Sequence, residues 1–314
     1  MRTFLVTGGA GFIGSHIATA LVERGDRVRV LDNLSTGHRS NLDHIADRVQ
    51  FIEGDITDTD TVGGAVKDVD CIFHQAALAS VPRSVKAPLA THHTCVTGTV
   101  ELLDAARNAG VRRIVYAGSS SAYGDQPASS KRETDLPRPL SPYAAAKLSG
   151  ELYLHAFANT YGIETMCIRY FNVFGPRQDP NSAYSAVIPL FITAMLAGRQ
   201  PVIYGDGHQS RDFTFVDNVV HGNLLAADAS EVSGETVNIA NGRTTTLLEL
   251  IALLNKMLGT NIQPEHAPAR VGDVRESLAD IAKARRLLSY EPPVMFTEGL
   301  ERSIEYYRSI VAGS

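Results

Sequence analysis

A glycine-rich turn a few residues from the amino terminus constrains this chain more than any other feature. Phe4-Leu5-Val6 reads as a short buried strand and leads into Thr7-Gly8-Gly9-Ala10-Gly11-Phe12-Ile13-Gly14. A helix from about Ser15 to Arg24 is expected next, ended by Gly25-Asp26. Arg27-Val28-Arg29-Val30-Leu31 then reads as a second strand with Asp32 at its end. Strand, glycine turn, helix and strand make a βαβ unit. Gly8, Gly11 and Gly14 meet three needs: unusual dihedrals in the turn, close approach of backbone to a pyrophosphate, and tight helix–strand packing. The helix start, with Phe12 and Ile13, offers free N–H groups and a partial positive charge to phosphates. Asp32 lies about 20 residues beyond the turn, where an acid binds adenosine ribose hydroxyls. A carboxylate there repels a 2′-phosphate, so NAD is expected rather than NADP. Asn33-Leu34-Ser35-Thr36-Gly37 reads as a loop around that ribose.

More strands follow at intervals that fit one large parallel sheet. Val49-Gln50-Phe51-Ile52-Glu53 is the third, followed by Gly54-Asp55-Ile56. Asp55 has two readings, an acceptor for the adenine amino group or a cap for a helix starting near Thr59. Cys71-Ile72-Phe73-His74 is the fourth, and the small residues of Gln75-Ala76-Ala77 let a flat cofactor lie against backbone. His74 reads as a structural hydrogen-bonder, and His92 and His93, adjacent on a helix, cannot both face one metal. A helix over Val100–Ala109 stops at Gly110, and Arg113-Ile114-Val115-Tyr116-Ala117 is the fifth strand. It ends in Gly118-Ser119-Ser120-Ser121-Ala122-Tyr123-Gly124, where ligands of doubly wound sheets bind.

The chemistry centres on Ser141-Pro142-Tyr143-Ala144-Ala145-Ala146-Lys147. It opens a long helix, so Tyr143 and Lys147, four apart, share one face. A free phenol has a pKa of about 10 and is a poor base near neutrality. A nearby ammonium favours the phenolate, so Tyr143 is expected to have a lowered pKa and to exchange a proton with a sugar hydroxyl.

Composition removes several alternatives. The 314 residues carry a net charge of −5 with no block of like charge, which favours neither nucleic acid nor an anionic membrane. The three cysteines, Cys71, Cys95 and Cys167, are widely spaced and form no metal pattern. They point to a reduced, cytoplasmic protein without a metal. Met1-Arg2-Thr3 runs straight into the first strand, which argues against a signal peptide. No apolar run approaches the roughly 20 residues of a membrane span.

Taken together these motifs resemble the extended short-chain dehydrogenase/reductases. The resemblance spans nearly the whole chain and includes Arg169-Tyr170-Phe171-Asn172-Val173-Phe174-Gly175-Pro176-Arg177, Tyr204-Gly205-Asp206-Gly207 and Ser210-Arg211-Asp212-Phe213. Arg177-Gln178-Asp179-Pro180-Asn181 and Ala183-Tyr184-Ser185-Ala186-Val187-Ile188-Pro189 are similar to the UDP-N-acetylglucosamine 4-epimerases in particular. The resemblance implies a catalytic set of Ser119, Tyr143 and Lys147. Ser119 would hydrogen-bond the reacting C4 oxygen, Tyr143 would move the proton, and Lys147 would hold the nicotinamide ribose. It implies that NAD is held by Gly8, Gly11, Phe12, Ile13, Gly14, Asp32, Asn33, Ser35, Thr36, Gly37, Asp55, Ile56, Gln75, Ala76, Ala77, Tyr143, Lys147 and Tyr170. It implies a UDP-sugar held by Ser119, Ser120, Ser121, Tyr143, Asn172, Ala186, Val187, Tyr204, Arg211, Arg275 and Ser277. Ser120 and Ser121 stand where 4,6-dehydratases carry Asp-Glu, which argues against a dehydratase; an acid in place of Ser121 would favour a decarboxylase. Cys95-Val96-Thr97-Gly98-Thr99 departs from an Asn-x-x-Gly-Thr pattern. Ser277 replaces a bulky tyrosine of epimerases restricted to UDP-glucose and UDP-galactose, leaving room for an N-acetyl group. A homodimer through the Val100 and Tyr143 helices is implied by analogy.

The expected fold is α/β: a doubly wound parallel sheet of the Rossmann type with a smaller α/β substrate-binding domain. The NAD-binding domain is expected over 1–173, with returning segments at about 213–240. The substrate-binding part is expected over 174–212 and mainly over about 241–314. Arg211 suits a diphosphate because its planar fork gives paired, charge-assisted bonds. Asp217 is expected to cap a helix running to Ala227. The leading activity is C4 epimerisation of a UDP-hexose, with UDP-glucuronate epimerisation second and a non-catalytic NAD sensor a distant third.

Overall fold

The computed structural model describes residues 1–126, 130–180, 186–269 and 275–312. Of the expected motifs, Asn181 and Ala183-Tyr184-Ser185 lie outside the described residues.

The βαβ unit is β1 (Thr3–Thr7), α1 (Phe12–Glu23) and β2 (Arg27–Asp32). The sheet continues with β3 (Val49–Glu53), β4 (Cys71–His74), β5 (Arg113–Ser119) and β6 (Glu164–Tyr170). A seventh strand, Glu235–Ile239, pairs with β6. The order is Glu235–Ile239, β6, β5, β4, β1, β2, β3, and all six pairings are parallel. The chain therefore starts in the middle, winds to one edge, returns and winds to the other. That reversal leaves a crevice beyond the carboxyl ends of β1 and β4.

Both faces of the sheet are covered, so its strands are near-continuous apolar runs. Ile17 and Leu21 of α1 and Val219 of α8 (Val216–Asp228) pack with Phe4, Val6 and Phe73 on one face. On the other face α2 (Thr59–Ala65), α5 (Gly98–Asn108) and α6 (Pro142–Tyr161) bury Val62, Leu102 and Leu154 against Leu5, Ile72 and Ile114. Between them run α3 (Val81–Lys86), α4 (Pro88–His92) and a π-turn over His93–Thr97. Helix boundaries follow local chemistry. Ser141 caps α6 by accepting from the Ala144 N–H, and Gly162 ends it in the left-handed region at φ +71°.

A smaller lobe gathers α7 (Val187–Leu196), α9 (Leu247–Leu258) and α11 (Phe296–Ala312) around Phe174, Ile192, Phe213 and Leu254. Its strands are only two or three residues long: Val173–Phe174, Val202–Tyr204, Ser210–Arg211, Thr214–Phe215, Thr245–Thr246, Glu265–Ala267 and Glu276–Ser277. Thr246 and Glu249 form a reciprocal capping box at the start of α9. Within 241–314, Ala279, Ile281, Ala284, Leu288 and Tyr290, around α10 (Ala282–Leu288), pack into the large core rather than the small one. Two expected caps are corrected. Asp58, not Asp55, caps α2, accepting from Asp60 and Thr61 N–H groups. Asp217 lies inside α8 and pairs with Arg302 at 3.0 Å, while Phe215 takes the capping position. No helix of the described residues is long and apolar enough to cross a membrane.

Candidate active site

The glycine turn closes on itself and on β4. Gly8 has φ +68°, and a Cβ there would fall 2.7 Å from the Ala76 backbone. A Cβ on Gly14 would lie 2.2 Å from the Gly8 carbonyl oxygen. Only glycine lets turn, helix and strand approach this closely. Asp32 fixes the turn by accepting from Ala10 N–H at 2.9 Å, and from Leu34 N–H at 2.8 Å. Burial pushes its pKa up, against the pull of the Leu34, Ala10 and Gly11 N–H groups. The Asn33–Gly37 loop is drawn in by His38 N–H and Asn41, which both bond the Ala10 carbonyl.

A cleft of about 630 Å³ opens along this edge. Of the residues expected to hold the cofactor, Gly8, Gly11, Phe12, Ile13, Gly14, Asp32, Asn33, Ser35, Thr36, Ile56, Gln75, Ala76, Ala77, Tyr143, Lys147 and Tyr170 line it. Gly37 and Asp55 do not. Gly37 lies behind the turn, where its Cβ would meet the Ala10 carbonyl carbon at 2.9 Å. Burial pushes Asp55 up, but Thr57 and the Asn33 amide, 2.6 Å away, leave its pKa below the ordinary value. Asp55 thus acts on the cleft through Asn33. The lining also holds residues to which the sequence reading gave no role: His38, Asn41, Arg83, Thr94 and the run Arg177-Gln178-Asp179. Arg177-Gln178-Asp179 stood in a motif of the resemblance, the one signal that could have found it.

Tyr143 and Lys147 enter this cleft from the first two turns of α6, as their spacing required. Ser119, at the end of β5, lies 2.8 Å from the Ser121 hydroxyl, and its hydroxyl favours the Tyr143 phenolate. Lys147 is 3 % exposed, with its Nζ 4.6 Å from the centroid of the Tyr116 ring. Burial lowers its pKa. The Tyr143 phenol departs from expectation. Burial and then the Cys95 thiol push it up to about 12, and the Ser119 hydrogen bond opposes them. Desolvation wins over charge proximity here, because Lys147 is itself buried and pointed at Tyr116.

His74 is a structural hydrogen-bonder, and its tautomer follows from its partners. Thr99 donates to the Cys95 carbonyl at 2.8 Å, so it accepts from His74 Nε2–H at 3.0 Å. Nδ1 then accepts from the Thr7 hydroxyl at 2.7 Å, and Thr7 accepts from Ala76 N–H at 3.4 Å. Burial, then the Lys147 charge, pushes the imidazole down to about 3. This neutral chain ties the cofactor strand to the π-turn that places Cys95, which is 1 % exposed. Among the described residues no cluster suits a metal ion.

A second cavity of about 280 Å³ adjoins the first through Ala186, which lines both. Asn172, Ala186, Val187, Tyr204 and Arg211, five of the residues expected to hold a UDP-sugar, line it. Asn172 is held by its amide on the Asp212 carbonyl at 3.2 Å. Arg211 reaches the Ser210 carbonyl at 2.8 Å. Ser119, Ser120, Ser121, Arg275 and Ser277 line neither cavity. Ser277 lies beside Arg211 on the neighbouring strand, and Arg275 is exposed, 3.8 Å from Asp206.

The family model of the NAD dependent epimerase/dehydratase family matches residues 4–240. A UDP-glucose 4-epimerase of Mycolicibacterium smegmatis is 42 % identical over 98 % of this chain and 99 % of its own length. The structure of a UDP-N-acetylglucosamine 4-epimerase from Methanobrevibacter ruminantium, solved with UDP-N-acetylmuramic acid, superposes with a TM-score of 0.94. It is 40 % identical, over 98 % of this chain and 99 % of that one. A Thermus thermophilus UDP-glucose 4-epimerase solved with NAD is 36 % identical, over 98 % and 99 % of the two chains, with a TM-score of 0.89. The glycine cradle, the acid ending β2 and these likenesses agree that the cleft holds NAD and that the chain belongs to the NAD dependent epimerase/dehydratase family.

Proposed function

We propose that this enzyme reversibly inverts C4 of a UDP-hexose and accepts the N-acetylated pair UDP-GlcNAc and UDP-GalNAc, with UDP-glucose and UDP-galactose as further substrates. The observation that supports the reading is that Tyr143 and Lys147 line a dinucleotide cleft that adjoins the second cavity at Ala186. Tyr143 takes the C4 hydroxyl proton and returns it to the inverted product. Ser119, at the end of β5, orients the C4 oxygen. NAD, when bound, accepts a hydride from C4, gives it back, and brings a positively charged ring into the cleft that Tyr143 lines. A phenol resting near 12 in a buried site responds strongly to added positive charge, because water screens little there. Lys147 adds its ammonium to the same cleft. Arg211 and Asn172 hold the diphosphate side, so the 4-keto sugar can turn while the nucleotide stays anchored.

Arg211 is the one basic side chain among the described residues of the second cavity. With it committed to the diphosphate, no cation remains there for a C6 carboxylate, which favours a neutral hexose over a glucuronate. The small Ser277 beside Arg211 supports tolerance of the N-acetyl group; extra room permits more than it excludes. Incubation with UDP-GlcNAc and with UDP-glucose, with products resolved by chromatography, tests the proposal. Failure to form either UDP-GalNAc or UDP-galactose rules it out.

A homodimer built on α5 and α6 goes with this reading. Leu152 and Tyr153 of α6 are 59 % and 42 % exposed, and Leu89 of the neighbouring α4 is 83 % exposed. Light scattering that reports a single 33.8 kDa chain at micromolar concentration would exclude it.

A further inference from the structure

Arg177, Gln178 and Asp179 of the loop Gly175–Asp179 form part of the lining of the dinucleotide cleft. The loop is fastened on both sides. Toward the smaller lobe, the Tyr307 hydroxyl meets the Gly175 carbonyl at 3.2 Å and the Gln178 carbonyl at 2.6 Å. Toward the large sheet, His16 N–H donates to the Pro176 carbonyl at 2.9 Å. Arg177 reaches over α1 to the hydroxyls of Ser15 at 3.3 Å and Thr19 at 3.2 Å, and to His44 at 3.2 Å. Its backbone is held in the left-handed region at φ +66°. Such a conformation is strained for a non-glycine residue and persists only where surrounding contacts impose it.

Among the described residues no carboxylate pairs with Arg177. Among the described residues its side chain bonds neutral groups on α1 and on the 3₁₀ turn Arg39–Ile45 that follows the ribose loop. The guanidinium thus joins the loop to α1 and to the 3₁₀ turn, both of which also contribute to the lining of the cleft. We propose that Arg177 is a positioning residue for cofactor retention: it latches the Gly175–Asp179 loop onto α1 and so sets how slowly NAD leaves. A reaction that returns its hydride has no need to exchange the cofactor between turnovers, and a latch of this kind suits it.

The primary reading, cofactor release, is taken without sugar and so stands apart from the choice of substrate. Arg177→Ala and Thr19→Val are purified with wild type and passed through NAD-free buffer, and retained NAD is measured by chromatography after denaturation. NAD dissociation is then followed on dilution, and epimerase activity is assayed with and without added NAD. The latch requires release at least about tenfold faster in Arg177→Ala, a smaller increase in Thr19→Val, and activity that fades on dilution but returns with added NAD. The KM for the UDP-sugar should stay within about twofold. Release within twofold of wild type in both variants overturns the proposal. So does a loss of activity in folded Arg177→Ala that added NAD fails to restore. If Arg177→Ala does not fold, Thr19→Val alone decides, since valine keeps the volume and removes only the hydroxyl.

Discussion

Truncating Glu151 should cost the fold more than most single changes. Glu151 lies one turn beyond Lys147 and two beyond Tyr143 on the same face of α6, and its carboxylate grips Arg169 of β6 with two bonds, 2.7 and 3.0 Å. The side chains are 7 % and 3 % exposed. Burial alone would lower the Arg169 pKa, and the Glu151 hydrogen bond overrides it and raises it. The Thr236 hydroxyl also donates to Glu151, at 3.2 Å. Glu151→Ala leaves a guanidinium buried with no counter-ion, and its Nη1 already has no hydrogen-bond partner. Breaking one side of such a pair costs about 3–5 kcal/mol. With a urea m-value of about 3 kcal/mol/M, the upper end for small proteins, the midpoint should fall by about 1–1.7 M. Glu151→Gln keeps one acceptor and should fall between wild type and alanine. Replacing the pair together, Glu151→Leu with Arg169→Met, should recover most of the loss, because the penalty comes from the orphaned charge. A midpoint within about 0.3 M of wild type for Glu151→Ala would refute the reasoning. So would a double variant no better than the single one.

Three further outcomes follow from the site. Lys147→Met keeps the volume and removes a buried charge, so the unfolding midpoint should hold or rise while turnover drops about a hundredfold or more; a variant with near-normal turnover would remove Lys147 from the chemistry. Gly14→Ala drives a methyl into the Gly8 carbonyl and should yield protein without NAD, which the absorbance ratio of the purified chain checks; normal NAD content would show that the turn can yield. Burial holds His16 near 4 and His74 near 3 in the fold, against 6.5 for a free imidazole. Below pH 6.5 the unfolded chain takes up protons that the fold refuses, so each imidazole erodes stability by about 1.4 kcal/mol per pH unit on the way down to its folded value. Urea midpoints across pH 7 to 4.5 should therefore fall less steeply in His16→Gln than in wild type, and identical slopes would contradict the assignment.

Much of this could be read before any coordinates, and the reason is local. The glycine turn, Asp32 and the apolar runs of β1 to β6 each carry their own signal, because a strand buried on both faces is spelled in consecutive residues. Tyr143 and Lys147 were placed by helical periodicity alone. The smaller lobe was harder to trace, since strands such as Ser210–Arg211 and Glu276–Ser277 are too short to show a period. The packing of Ala279–Tyr290 into the large core depends on partners far away in sequence. Asp55 and Asp58 are both plausible caps three residues apart, and only the geometry chooses. The raised Tyr143 pKa was missed because spacing places an ammonium on the same face but says nothing of how dry that face is. Arg177 escaped because its partners sit on α1 and a 3₁₀ turn more than a hundred residues earlier.

The edge strand Glu235–Ile239 also bears on how the protein emerges from a ribosome. Until residue 239 has been synthesised and released from the exit tunnel, β6 presents Met166, Cys167 and Ile168 along an unpaired sheet edge. The helix that later covers the new strand comes from residues 282–288, further along still. A nascent chain halted between these points would carry a largely formed nucleotide fold with a sticky flank. Such intermediates are where holdase chaperones and proteases would compete for it.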